Sequence, residues 1–358
     1  MRTVLSRPLS TAGPHPPAGE ARPPSRGAAQ GDRAGRRETG ALARRLAIGL
    51  AAIAAVGLLP TQGLYWLALG NQSAIAAISA MGLTVLVGTA GLLSLGQAAF
   101  LAIGGFTAAL LVIHMGFGFL GAMAAGGVVA GLAGALVAAA TARTVGIYLA
   151  VGTLALQYVV EIVLSDVEVQ LTSGMGFQMP VAQVLGVELT SEEDWWYFLC
   201  LMTFLVWFVL RAIVRGQPGR TWVCMKENAT VAGSLGIPVR RARMAAFALS
   251  SLVAGAVGVV HGFYMGTVQI TNYSLHLSIV YLTIAVLGRL GSIGGAIWAA
   301  AVITVLPQAL NGFMRALGFD LIAFGAGLED VVLGLILAMI LLEAPRRLWA
   351  RIRPGRPA

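Results

Sequence analysis

Ten stretches of the chain are apolar for long enough to cross, or nearly cross, the roughly 30 Å of hydrocarbon in a bilayer. They lie at about 46–69, 73–93, 97–115, 118–141, 145–165, 195–211, 242–265, 274–289, 293–314 and 328–344. Inside lipid every backbone N–H and C=O must find its partner within the protein, so runs of this length are read as helices. The 358 residues are 58% hydrophobic and only 11% charged, which excludes an ordinary soluble domain. The prediction is an all-α, polytopic transmembrane helical bundle of about ten spans.

The charges give this bundle an orientation. A net charge of +9 could suggest nucleic acid as a partner, but the arginines sit at the ends of the chain and in short loops between apolar runs, as membrane topology requires. Arg33, Arg36, Arg37, Arg44 and Arg45 precede the first run, and Arg346, Arg347, Arg351, Arg353 and Arg356 follow the last. N- and C-termini are therefore both expected in the cytoplasm, with an even number of spans between them. Arg143, the run from Arg211 to Arg243, and Arg289 then fall inside. The longest outside loop, about 166–194, carries Asp166, Glu168, Glu188, Glu192, Glu193 and Asp194 with no basic residue, and Arg315 alone runs against the pattern. Residues 1–45, rich in Pro, Gly, Ala and Arg, are expected to form a disordered basic cytoplasmic tail, 46–344 the transmembrane domain, and 345–358 a second basic tail. No apolar core follows closely on the first basic residues, so no signal peptide is read there. Cys200 and Cys224 do not suggest a disulfide framework.

Enzyme chemistry finds little support. His114, His261 and His276 lack metal-ligand spacing, and no G-x-S-x-G elbow is present. Lys226, the sole lysine, is followed by Glu227, so the chain has no Walker A phosphate loop and is expected to hold no cofactor; any ATP would be used by partner subunits. Gly and Ala at three- and four-residue spacing in "GLAGALVAAA" (131–140) and "LVAGAVGVV" (252–260) predict close helix packing.

Two glycine-serine interruptions break the apolar pattern: "GLLSLGQAAF" at 91–100 and "LGRLGSIGG" at 287–295. Irregular backbone at membrane depth is tolerable only beside protein or a water-filled path. Gly91, Ser94, Gly96, Gln97, Phe100, Arg289, Gly291 and Ser292 are thus candidates for a translocation path, and tight turns between spans are the other reading. Glu161, Glu329 and Asp330 fall within reach of an interface, which weakens the case for a proton-coupled carrier.

One segment is water-compatible. In "GRTWVCMKENATVAGSLGIPVRR", residues 219–241, Trp222, Met225, Ala229, Ala232 and Leu235 recur every three or four residues and form one apolar stripe. A helix over about 220–236 is predicted, ended by a left-handed cap at Gly236 with Pro238 beyond it. Two roles fit: a helix lying on anionic headgroups through Arg220, Lys226, Arg240, Arg241 and Arg243, or a docking element for a cytoplasmic partner.

Five ordered blocks, "GLLSLGQAAFLAIGGFTAALL", "GIYLAVGTLAL", "LTSGMGF", "KENATVAGSLGI" and "LSIVYLTIAVLGRLGSIGGA", spread over roughly 80–300, resemble the membrane permease of a branched-chain amino acid ABC importer, LivM type, and the final "LLEAPRRL" is similar to that family's last span and basic tail. The resemblance implies a permease in the bacterial inner (plasma) membrane that is not itself an enzyme. Its partners would be a second homologous permease, two ATP-binding subunits, an extracytoplasmic substrate-binding protein and membrane lipid, with no nucleic acid. It also implies that the 220–236 segment is a coupling helix touching the ATPase, with Trp222, Met225, Glu227, Ala229, Ala232, Leu235 and Gly236 as its residues. Arg289 stands where the family usually has glycine, Tyr158 and Glu161 where a Glu and an Arg are common, and Gly233 at an often acidic position. Branched-chain amino acids are therefore the default cargo beside urea, short amides and other amino acids. An ion- or proton-coupled secondary transporter working without an ATPase is the alternative function.

Overall fold

The computed structural model describes residues 63–141, 146–184 and 186–316, with the backbone alone for 309–316. All of these belong to one compact unit, Leu58–Ala358. The two tails of the sequence reading, most of the first apolar run and the whole of the last lie outside the described residues.

Helix α1 spans Leu64–Thr84 and continues through a π-helical turn, Val85–Thr89. It is followed by α2 (Gln97–Met115), α3 (Phe119–Ala140), α4 (Ile147–Thr172) and α5 (Glu192–Arg215). Two short helices come next, α6 (Gln217–Glu227) and α7 (Ala229–Ser234), then α8 (Val239–Met265), α9 (Leu275–Leu287) and α10 (Ile293–Ala316). Seven helical segments are long and apolar enough to cross a membrane, the last being Ile270–Leu287, and a shorter apolar helix, Ile293–Gln308, lies within α10. The described residues thus support a polytopic helical bundle, with seven such spans against the ten expected.

The expected break between a first run ending at 69 and a second starting at 73 is absent, because α1 runs unbroken through Gly70, Asn71 and Gln72. Asn71 is fully buried and its Nδ2 donates to the Glu192 carbonyl at 3.0 Å and to Glu192 Oε2 at 2.7 Å. Tyr264 OH donates to the same Oε2 at 2.9 Å, so α1, α5 and α8 are pinned at one level. A polar triplet that reads as a loop is therefore a helix turn whose asparagine NH2 group is taken up by a distant glutamate, while its Oδ1 has no partner among the described residues.

Charge divides the ends of the bundle. At the Glu192 end, α5 opens with a capping box in which Ser191 and Asp194 satisfy each other's amides. Phe119, Trp195, Phe198 and Phe263 pack edge to face beside it, with centroids 4.9–6.1 Å apart. Two short ladders fold the chain between α4 and α5: β1 (Phe177–Gln178) pairs antiparallel with β4 (Thr267–Val268), and β2 (Gln183–Val184) with β3 (Val187–Glu188). The opposite end carries Arg215, Arg220, Lys226, Arg240 and Arg241.

α1 is central and mostly buried, whereas α5 is mostly uncovered, leaving Leu201, Phe204, Leu205 and Phe208 exposed on its outer face. The small-residue expectation for α3 and α8 is met. A Cβ on Gly131 would stand 3.2 Å from both the Ala248 carbonyl oxygen and Leu252 Cβ, and one on Gly134 would collide with the Ser251 side chain. Close backbone approach of this kind supplies the dispersion contacts that hold helices together where lipid offers no hydrophobic drive.

Candidate functional site

The two glycine-serine interruptions differ in kind. The first is a true break. After the π turn, Ala90 N–H bonds Val85 O at 3.2 Å and Leu92 N–H bonds Leu86 O at 3.1 Å, and the chain then runs without regular structure to Gln97. Ser94, Gln97 and Phe100 are enclosed at 0–1% exposure, whereas Gly91 and Leu93 are exposed, so the irregular stretch has one face against protein and one open. Its amides are served by side chains from other helices: Leu95 N–H donates to Thr153 Oγ1 at 2.9 Å, and Ala98 N–H to Ser278 Oγ at 2.8 Å. Gly96 N–H reaches Ser94 Oγ at 3.4 Å, and a Cβ on Gly96 would lie 2.7 Å from the Thr153 carbonyl oxygen.

A buried polar cluster follows from this. Gln97 Nε2 donates toward the carbonyl and hydroxyl of Ser79, each at 3.3 Å, while its Oε1 has no partner among the described residues. Gln157 Nε2 donates to the Tyr273 carbonyl at 2.9 Å, and Ser278 Oγ lies 3.5 Å from Gln157 Oε1. Sequence reasoning found Ser94 and Gln97 and missed Ser79, Thr153, Gln157 and Ser278. The available signal was the i, i+4 pair Thr153 and Gln157 in the apolar first half of α4.

The second interruption is a tight turn. Gly288 ends α9, Arg289 and Gly291 adopt left-handed backbone at φ 66 and 91, and Ser292 opens α10 by accepting from Gly295 N–H at 3.2 Å. Arg289, Gly291 and Ser292 are exposed and lie outside the enclosed cluster. The two interruptions meet through Gly88 in the π turn, where a Cβ would overlap the Gly291 amide. Lys226 reaches the same place from α6: its Nζ donates to the Gly88 carbonyl at 2.7 Å, and Gly91, at φ 71, leaves room for its stem, since a Cβ there would lie 2.7 Å from Lys226 Cγ.

The single helix expected over about 220–236 is two. Asn228 takes an extended conformation, φ −158 and ψ 105, and its Oδ1 accepts from Thr230 and Val231 N–H at 3.0 and 3.1 Å, capping α7. The apolar stripe is divided accordingly. Trp222, Met225 and Ala232 are buried, with Trp222 Nε1 donating to the Ala242 carbonyl at 2.9 Å. Ala229 is half-buried, and Glu227 and Leu235 are exposed beside Val223 and Val231. The stripe is thus largely spent on holding α6 and α7 to their own chain. The left-handed cap is present at Gly236, φ 81, where Gly236 N–H bonds Gly233 O and Ile237 N–H bonds Ala232 O.

Most of the chain is similar to known proteins. Residues 65–341 match the family described as branched-chain amino acid transport system / permease component. The high-affinity branched-chain amino acid transport system permease protein LivM of Escherichia coli (strain K12) is 30% identical over 271 residues, covering 69% of this chain and 61% of that protein. Its namesake in Salmonella typhimurium (strain LT2) is 28% identical over the same length, with the same coverage. The match therefore spans less than two thirds of these relatives' own length. No solved structure matches the chain. With a family match over most of its length and seven spans among its described residues, the chain belongs to the branched-chain amino acid transport permease family and is a multi-pass protein of the inner membrane.

Proposed function

We propose that the chain is one of two related permease subunits in an ATP-driven importer, moving branched-chain amino acids or related small amino acids and amides delivered by an external binding protein. Two ATP-binding subunits would supply the energy, and the chain itself would be neither an enzyme nor a holder of cofactor. The observation that carries this reading is the junction at Gly88, where an amphipathic helix lying outside the spans, α6, bonds the π turn against which the second interruption also packs. A transporter working alone has no evident use for such a contact.

In this reading the basic end of the bundle is cytoplasmic and the Glu192 end faces the binding protein. Val223, Glu227, Val231 and Leu235 form the surface offered to the ATPase, while Trp222, Met225 and Ala232 anchor it. The enclosed cluster of Ser79, Gln97, Thr153, Gln157 and Ser278 supplies the polar groups a zwitterionic cargo would meet when the helices part in alternating access. Ser94, Gly96 and Phe100 shape the backbone around that cluster.

Uptake into vesicles carrying this permease and its partners tests the proposal. It is expected to need ATP and to persist when ion gradients are collapsed; uptake that follows an ion gradient without any ATPase would establish the secondary-transporter alternative. For orientation, a cysteine at Gln183, which is exposed, should react with a membrane-impermeant reagent from outside. Labelling from the cytoplasm alone would invert the topology.

A further inference from the structure

Lys226 fills a place left open in the hydrogen-bond ladder of the π turn. In a continuing α-helix the Gly88 carbonyl would accept from Leu92 N–H, but that amide donates to Leu86 O instead, because the π turn has shifted the ladder. The carbonyl left over lies at the negative end of a helix that runs from Leu64 to Thr89, where a cation is favoured. Lys226 Nζ takes it at 2.7 Å, a charge-assisted length.

The surroundings are shaped for that contact. Gly91 leaves space for the lysine stem, and Gly88 lets Leu290 and Gly291 close on the π turn from the other side. A compact ammonium suits a single carbonyl better than the wide fork of an arginine. The chain is otherwise rich in arginine and has its sole lysine here.

We propose that Lys226 is a positioning residue, a strut that carries displacement of α6 into the π turn and so into the enclosed polar cluster. This rests on reading α6 and α7 as the ATPase contact. At one end of the strut, α6 is fixed to α8 by Trp222 Nε1, which donates to the Ala242 carbonyl. At the other, Ser94 follows Gly88 by six residues, and the segment is tethered to the cluster where Leu95 N–H donates to Thr153 Oγ1 at 2.9 Å and Gly96 packs against the Thr153 carbonyl. The strut therefore links the surface of α6 to the side chains around Gln97 by one hydrogen bond and a few residues of backbone.

The test is cargo moved per ATP hydrolysed in the fully assembled, reconstituted complex. Lys226→Met is expected to assemble with its ATP-binding subunits in the normal ratio, to keep basal hydrolysis, and to lose at least tenfold in cargo per ATP. Lys226→Arg, which keeps a cation, should recover part of that loss. Lys226→Cys, with Cys200 and Cys224 replaced by alanine, permits the same question after folding: an aminoethylating thiol reagent should restore coupling and a methylating one should not. Wild-type cargo per ATP in Lys226→Met, or equal effects of the two reagents, overturns the strut. Val231→Asp separates the two readings. If it detaches the ATP-binding subunits, the contact stands whatever Lys226 does; if attachment is unaffected, the contact fails and the strut with it.

Discussion

Asn71 and Glu192, 121 positions apart, are joined twice, once through the Glu192 carbonyl and once through its carboxylate. The pair closes α1 against α5 at the end of the bundle opposite Lys226. Asn71→Leu removes both bonds and should lower stability by about 1–2 kcal/mol, the upper part of the range for polar pairs between membrane helices. Asn71→Asp sets two carboxylates against each other and should cost more. Thermal midpoints of the detergent-solubilised permease measure the order; an aspartate variant as stable as the leucine variant would deny the contact.

Glycines at the α3–α8 contact and in the soluble segment should respond oppositely to added bulk. Gly134→Val drives a side chain into Ser251, and overpacking of this kind costs roughly 1–3 kcal/mol or more. Gly233 has nothing within 4 Å of its would-be Cβ, so Gly233→Ala should stay within about 0.5 kcal/mol of the parent. The amount of folded permease recovered from membranes distinguishes them.

Ser278→Ala should cost more than the loss of a hydroxyl suggests, because Ala98 N–H then lacks its acceptor at the first turn of α2. A stranded buried donor costs about 1–3 kcal/mol. Gln97→Leu leaves the Leu95 and Ala98 amide bonds in place, gives up the long contacts to Ser79, and removes the one enclosed oxygen of the cluster without a partner, so the expected phenotype is reduced uptake at near-normal protein levels. If uptake is unchanged by Gln97→Leu, the cluster is structural only.

Gly236→Val places a β-branched residue at φ 81, at a cost of roughly 1–2 kcal/mol. Nothing lies near its Cβ, so the penalty is confined to the turn between α7 and α8. Normal insertion with weak binding of the ATP-binding subunits is expected, read by co-purification and by stimulated hydrolysis. Leu235→Asp is the suitable surface companion, because Ala232 is buried and its replacement would also loosen α7.

Apolar runs located α2, α3 and α8 within a few residues, since span length and hydropathy are properties of local sequence. The positions that misled are those where a polar residue acts against its local pattern, through a distant partner at Asn71 and through a local cap at Asn228. Gly70, Asn71 and Gln72 read as a loop because Glu192 cannot be seen from there. The stripe from Trp222 to Leu235 read as one helix because its period survives the Asn228 cap, which breaks the backbone without breaking the pattern. Ser94 and Gln97 stood out through the glycines beside them, whereas Thr153 and Gln157 offered only their i, i+4 spacing and Ser278 none, and their partners appear when α2, α4 and α9 converge.

The bond between Lys226 and Gly88 also orders events during synthesis. Lys226 is made 138 residues after the carbonyl it caps. At about 5–20 residues per second, roughly 7–28 s pass with α1 already emerged and its end uncapped. Through that interval the Gly88 carbonyl depends on water or the insertion machinery, so slowing translation before residue 226 should prolong exposure of nascent α1 to membrane quality control.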